Sequence, residues 1–127
     1  MSAFQTVVGI AGAALAGLAI GVERQRSGHA SGPGARFGGV RTFTMLGALA
    51  GIGGSLWAQG GGPLAVVLVA AAAALVIAGY VAAMHRDIDA TTEVAALVVL
   101  AVGVLAGSGR LVLASGITAA TALLLVE

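Results

Sequence analysis

The sequence predicts an all-α membrane protein, a polytopic bundle of about five transmembrane helices. Three observations lead there. Only 11 of the 127 residues are charged, against about a quarter in soluble domains. Hydrophobic residues make up 59% of the chain, Gly supplies 21 more residues, and the mean hydropathy is +1.07. Apolar segments recur near the length of about 20 residues that a spanning helix needs. A disordered chain would be polar and charged, and a soluble globule would need a polar skin. The period-two alternation of a barrel strand is not visible.

The elements follow in order. Residues 4–22 are uncharged and form the first helix. A polar, Gly-rich stretch runs from Glu23 to Gly39. Residues 40–58 form the second helix, with Arg41 at its start. Gln59 to Pro63 holds three successive glycines and a proline, which mark a turn. Residues 64–84 form the third and most apolar helix. A short charged connector, His85 to Ala90, leads into the fourth helix at residues 91–106. Ser108-Gly109-Arg110 is a turn before a fifth helix at residues 111–126. That last segment is short, so the final pair is also readable as a re-entrant or interfacial hairpin. The chain is expected to be a single transmembrane domain, residues 1–127.

Arginine placement orients the bundle, because basic residues gather on the cytoplasmic side. Arg24, Arg26, Arg36 and Arg41 flank the first long loop, and Arg86 lies in the second connector. With five spans both fall on one side, and Arg110 alone falls on the other. The N-terminus is then outside and the C-terminus cytoplasmic. No basic residue precedes the first apolar stretch, so it reads as an uncleaved helix rather than a secretory signal. Trp57 and Tyr80 stand near predicted helix ends, where aromatic belts form.

Several function classes are excluded. The chain has no cysteine, hence no disulfide framework and no thiolate metal site. His29 and His85 are far apart and form no metal-ligand motif; His29 reads as a solvated loop residue and His85 as an interfacial one. The net charge of +1 is too small for a nucleic-acid footprint. Gly60 to Gly62 lacks a following Lys and is no phosphate loop. No nucleophile–base set is visible, so an enzyme is not expected. No cofactor is expected, and the metal question stays open.

Helices do not associate in lipid through hydrophobicity; small residues let their backbones approach. Gly17/Gly21, Gly47/Gly51 and Gly103/Gly107 are three small-xxx-small pairs on the first, second and fourth helices. They predict a tightly packed bundle. The surplus of small faces favours a homo-oligomer, with a two-fold dimer the commonest closed assembly.

Polar residues gather at the predicted cytoplasmic end. Glu23-Arg24 closes the first helix, Arg41-Thr42 opens the second, and Asp87, Asp89, Thr91, Thr92 and Glu93 lie between the third and fourth. One reading is structural: Asp89 caps the fourth helix, Glu93 suits the positive end of its dipole, and Arg24 suits the C-terminal end of the first. The other is functional. Arg41 and Glu93 border hydrocarbon, where charges face the bundle interior and pair. Glu23 with Arg41, or Arg41 with Glu93, are the natural pairs. Carboxylates and hydroxyls are hard donors suited to Mg²⁺ or Na⁺. The cluster would then bind an ion or small solute, relay a proton or gate a path.

The run Gly17 to Arg26 (GLAIGVERQR), followed by Gly39-Val-Arg-Thr42, resembles the MgtC/SapB membrane-protein family. That family has a helix ending in Gly, Glu and Arg, a Gly-rich loop, then Leu-Arg-Thr. Asp89 to Ala96 is similar to its Asp-Pro-Thr-Arg-Val-Ala-Ala, and Gly116 to Ala120 to its Gly-Leu-Thr-Thr-Ala-Ala. The resemblance covers the chain in order. It implies a bacterial inner-membrane protein of about five helices, linked with growth in low Mg²⁺, with virulence and with modulation of ATP synthase. Helix–helix docking on such a complex is the alternative to ion or solute binding. The residues carried over are Glu23, Arg24, Arg41, Thr42, Asp89 and Thr91. Ala90 and Thr92 stand where the family has Pro and Arg, and Glu93 puts an acid where the better-known branch is basic. The chain resembles the variant without a soluble C-terminal domain, often fused to a second membrane domain.

Overall fold

The computed structural model describes residues 2–26, 39–83 and 91–126. They form five α-helices and, among the described residues, no strand: α1 (Ala3–Arg26), α2 (Val40–Ala58), α3 (Gly62–Ala83), α4 (Thr91–Gly107) and α5 (Leu111–Leu125). Both α1 and α3 are long and apolar enough to cross a membrane by length and composition. The helices lie close to the sequence expectation, with one consequential difference. α1 continues past Val22 to Arg26, so the polar stretch that begins at Glu23 opens with a further helical turn. α3 starts two residues before Leu64, with Pro63 in its first turn, where a missing N–H leaves nothing unpaired.

Local chemistry sets the ends. Ser2 and Gln5 form a reciprocal capping box: Ser2 Oγ accepts from Gln5 N at 3.1 Å, and Gln5 Oε1 accepts from Ser2 N at 2.9 Å. α2 and α4 close with the same device. Gly60 and Gly109 take φ of +93° and +97°. Gly61 N then donates to Leu56 O at 2.7 Å, and Arg110 N to Leu105 O at 2.8 Å. This is the Schellman arrangement, which satisfies carbonyls that have no partner within the helix.

α1, α2 and α4 pack on one another, and α4 touches all four other helices. α3 leans on α2 and α4, α5 leans on α1 and α4, and α3 and α5 do not meet. The three central helices meet through glycine. A Cβ on Gly17 would strike the Phe43 carbonyl, one on Gly47 the Ala13 carbonyl, and one on Gly107 the Gly51 carbonyl. A Cβ on Gly21 would stand 2.8 Å from Phe43 Cβ, one on Gly51 2.7 Å from Ala13 Cβ, and one on Gly103 2.6 Å from Ala50 Cβ. All six glycines singled out in the sequence are thus spent inside the chain's own bundle. Gly9 against Ala106 and Gly54 against Val104 extend the same contacts.

One core cluster joins Ile20, Phe43, Leu46, Val76, Val99 and Leu100; a second joins Ala13, Ala16, Val102, Ala106 and Ala114. The outside is apolar as well. Val112 is 90% exposed, Leu124 80% and Phe4 76%, the surface expected of helices facing lipid rather than water.

Candidate functional site

The inward stripe of α1 reads Gly9, Ala13, Ala16, Gly17, Ile20, Gly21 and Arg24, all buried. Spacings of three and four residues keep one helical face turned inward. Because α1 continues past Val22, the stripe reaches Arg24 and carries a guanidinium into the bundle. Arg24 is 3% exposed.

α4 supplies the partners. Thr92 is 0% exposed and Glu93 3%. Arg24 Nη2 donates to Thr92 Oγ1 at 2.8 Å, joining the last turn of α1 to the first turn of α4. Phe43 of α2, fully buried, and Ile20 of α1 belong to the core cluster at this half of the bundle. Glu93 lies in the first turn of α4, where a negative charge is favoured by the helix dipole. It also balances Arg24, whose charge would otherwise stand against the positive end of α4.

The remaining sequence candidates separate from this trio. Glu23 pairs with Arg26, Nη1 to Oε1 at 2.9 Å, on the outer side of the same helix. Arg41 is exposed, Thr42 half-buried and Thr91 exposed. The expected pairing of Arg41 with Glu23 or Glu93 is therefore replaced: Arg24 holds the inner position. The reason is periodicity. Phe43, Leu46, Gly47, Ala50, Gly51 and Gly54 form the buried stripe of α2, and Arg41 lies off it. Asp87 and Asp89, with the proposed cap at Asp89, lie outside the described residues. Among the described residues no three His, Cys, Asp or Glu side chains gather as a metal site.

Two contributions escaped sequence reasoning. Gln25 Oε1 accepts from Val40 N at 3.3 Å, so α1 caps the first turn of α2. Phe43 fills the space that Gly17 and Gly21 leave. The seven-residue spacing of Gly47 and Gly54 was a legible signal for the longer glycine face; nothing local marked Gln25.

The family comparison matches the MgtC family over residues 10–127. No curated protein matches. No solved structure matches either. The matched span includes the buried stripe of α1 from Ala13 to Arg24 and the four helices that follow. With that match across nearly the whole chain, and with its apolar five-helix bundle, the chain belongs to the MgtC family and is a membrane protein of it.

Proposed function

We propose that the chain is a multi-pass protein of the bacterial inner membrane, N-terminus outside, which binds an ion or small solute at the Arg24–Thr92–Glu93 end of the bundle. The observation that carries this reading is the burial of one cation, one hydroxyl and one carboxylate together at the junction of α1 and α4. Charges withdrawn from water are expensive, and those kept at membrane depth serve paths and binding sites. The protein acts by binding, not by catalysing a reaction.

Arg24 works here as a tethered cation. Thr92 and Glu93 offer the hard oxygens that a small cation such as Mg²⁺ prefers, with its waters retained. The guanidinium competes for that place. An incoming ion displaces it, loosens the link between α1 and α4, and so converts ion occupancy into helix arrangement. Arg26 at the end of α1 and Arg41 at the start of α2 support a cytoplasmic position for this end, since basic residues gather on that side.

Docking on another membrane complex is the second reading. The glycine pairs are occupied within the bundle, so a partner or a second copy would use the outward faces of α3 or α5.

The test is thermal stability of purified protein titrated with MgCl₂. Wild type should gain stability, Arg24→Gln should gain it at lower Mg²⁺, and Glu93→Gln should not respond. An equal response in wild type and Glu93→Gln, or none in any of the three, overturns the reading.

A further inference from the structure

We propose that the seam between α1 and α5 binds a phospholipid whose headgroup carries both a phosphate and a primary ammonium, as an ethanolamine glycerophospholipid does. Two grooves run end to end along this seam. One, of about 390 Å³, lies between Gly12 and Ala16 of α1 and Ala114 and Thr118 of α5. The other, of about 800 Å³, shares Leu15, Ala19, Ala119 and Ala122 with it and ends at Val22, Glu23 and Val126. Small side chains on both walls give the seam its depth. α5 has 15 residues, about 22 Å of helix against a hydrocarbon layer of about 30 Å. α1, with 24 residues, is the longer wall, and the seam between the two helices leaves room for an acyl chain.

The end of the groove selects the occupant. Apart from Ser115 and Thr118, whose hydroxyls donate to the Leu111 and Ala114 carbonyls of their own helix, the walls are apolar until Glu23, which lines the end of the groove and is held by Arg26 at 2.9 Å. The Glu23 side chain is 14% exposed and that of Arg26 71%. An anionic headgroup without a cation would set its phosphate against the Glu23 carboxylate. A cationic amphiphile would meet the Arg26 guanidinium. A head bearing both charges matches both: the ammonium donates to Glu23, and the phosphate accepts from the Arg26 N–H groups still facing solvent. This site is distinct from the buried Arg24 cluster: Glu23 and Arg24 are successive helical residues, turned by about 100° from one another.

The experiment is native mass spectrometry of the full chain after incubation with equal amounts of dioleoyl phosphatidylethanolamine, phosphatidylcholine and phosphatidylglycerol. The ethanolamine lipid should be retained about tenfold over the choline lipid, which keeps the charge but has no N–H to donate. It should also be retained over the glycerol lipid. Glu23→Gln should bring the ethanolamine lipid down to the choline level, and Ala119→Leu, which fills the groove, should lower retention of all three. Equal retention of the ethanolamine and choline lipids by the wild type, or a preference for the glycerol lipid, overturns the proposal. So does a Glu23→Gln protein that keeps the full preference.

Discussion

The guanidinium of Arg24 and the hydroxyl of Thr92 meet at 2.8 Å although 68 positions separate them in the chain. Both are buried. The bond ties the last turn of α1 to the first turn of α4, and its charge stands where two helix ends oppose. At the C-terminal end of α1 a cation is favoured; at the N-terminal end of α4 it is not, and Glu93 offsets it. Loss of either partner should therefore be felt across the whole bundle.

Thr92→Val keeps the shape of the side chain and removes the acceptor. A buried hydrogen bond to a charged group contributes about 1.5–3 kcal/mol, and the variant should lose stability of that order. Thr92→Ser, which keeps a hydroxyl, should retain most of it. Unfolding of the purified protein in a denaturing detergent titration measures the difference. Equal stability of wild type and Thr92→Val would show that the bond contributes nothing.

Gly107→Ala and Gly116→Ala are the same chemical change in opposite surroundings. The first drives a methyl into the Gly51 backbone, and the second meets nothing within 4 Å. Overpacking costs about 1–3 kcal/mol and more where backbone must move, while alanine in an open helical position is favoured by about 0.5–1 kcal/mol. Thermal unfolding midpoints should fall for Gly107→Ala and hold or rise for Gly116→Ala.

Gly60 and Gly109 occupy left-handed backbone, at φ of +93° and +97°. An alanine there costs about 1–2 kcal/mol, even though Gly60 has open space around it. Gly60→Ala and Gly109→Ala should each lower the midpoint by a similar amount, whereas an exposed helical change such as Ala101→Ser should leave it within a degree or so of wild type.

Orientation is open to a direct test because the chain has no cysteine. Single Cys at Gln59, in the turn after α2, should react with a membrane-impermeant maleimide added to intact cells. Single Cys at Ser31, in the arginine-flanked segment between α1 and α2, should react only after the membrane is opened. The reverse pattern would overturn the N-outside assignment.

Much of this architecture was legible locally. Hydropathy marks where a helix can lie, and Gly60 and Gly109 mark turns through their freedom of φ. The glycine pairs were legible as contacts because a missing Cβ is written in the sequence. Their partners were not: Gly107 could have met another chain, and only folding sets it against Gly51. The polar site was half legible. Glu93 stood out for bordering hydrocarbon, but so did Arg41, which proves exposed, while Arg24 read as a charge suited to the end of its helix.

Composition and hydropathy establish a helical membrane protein with its charge collected at helix ends and connectors, because burial in lipid demands apolar segments and satisfied backbone. Which charges enter the bundle is set by how the helices pack. Successive helical residues turn by about 100°, so Glu23 and Arg24 point to different neighbours. Where α4 packs on α1 makes Arg24 the inner one, and where the end of α5 comes beside α1 leaves Glu23 at the mouth of a groove.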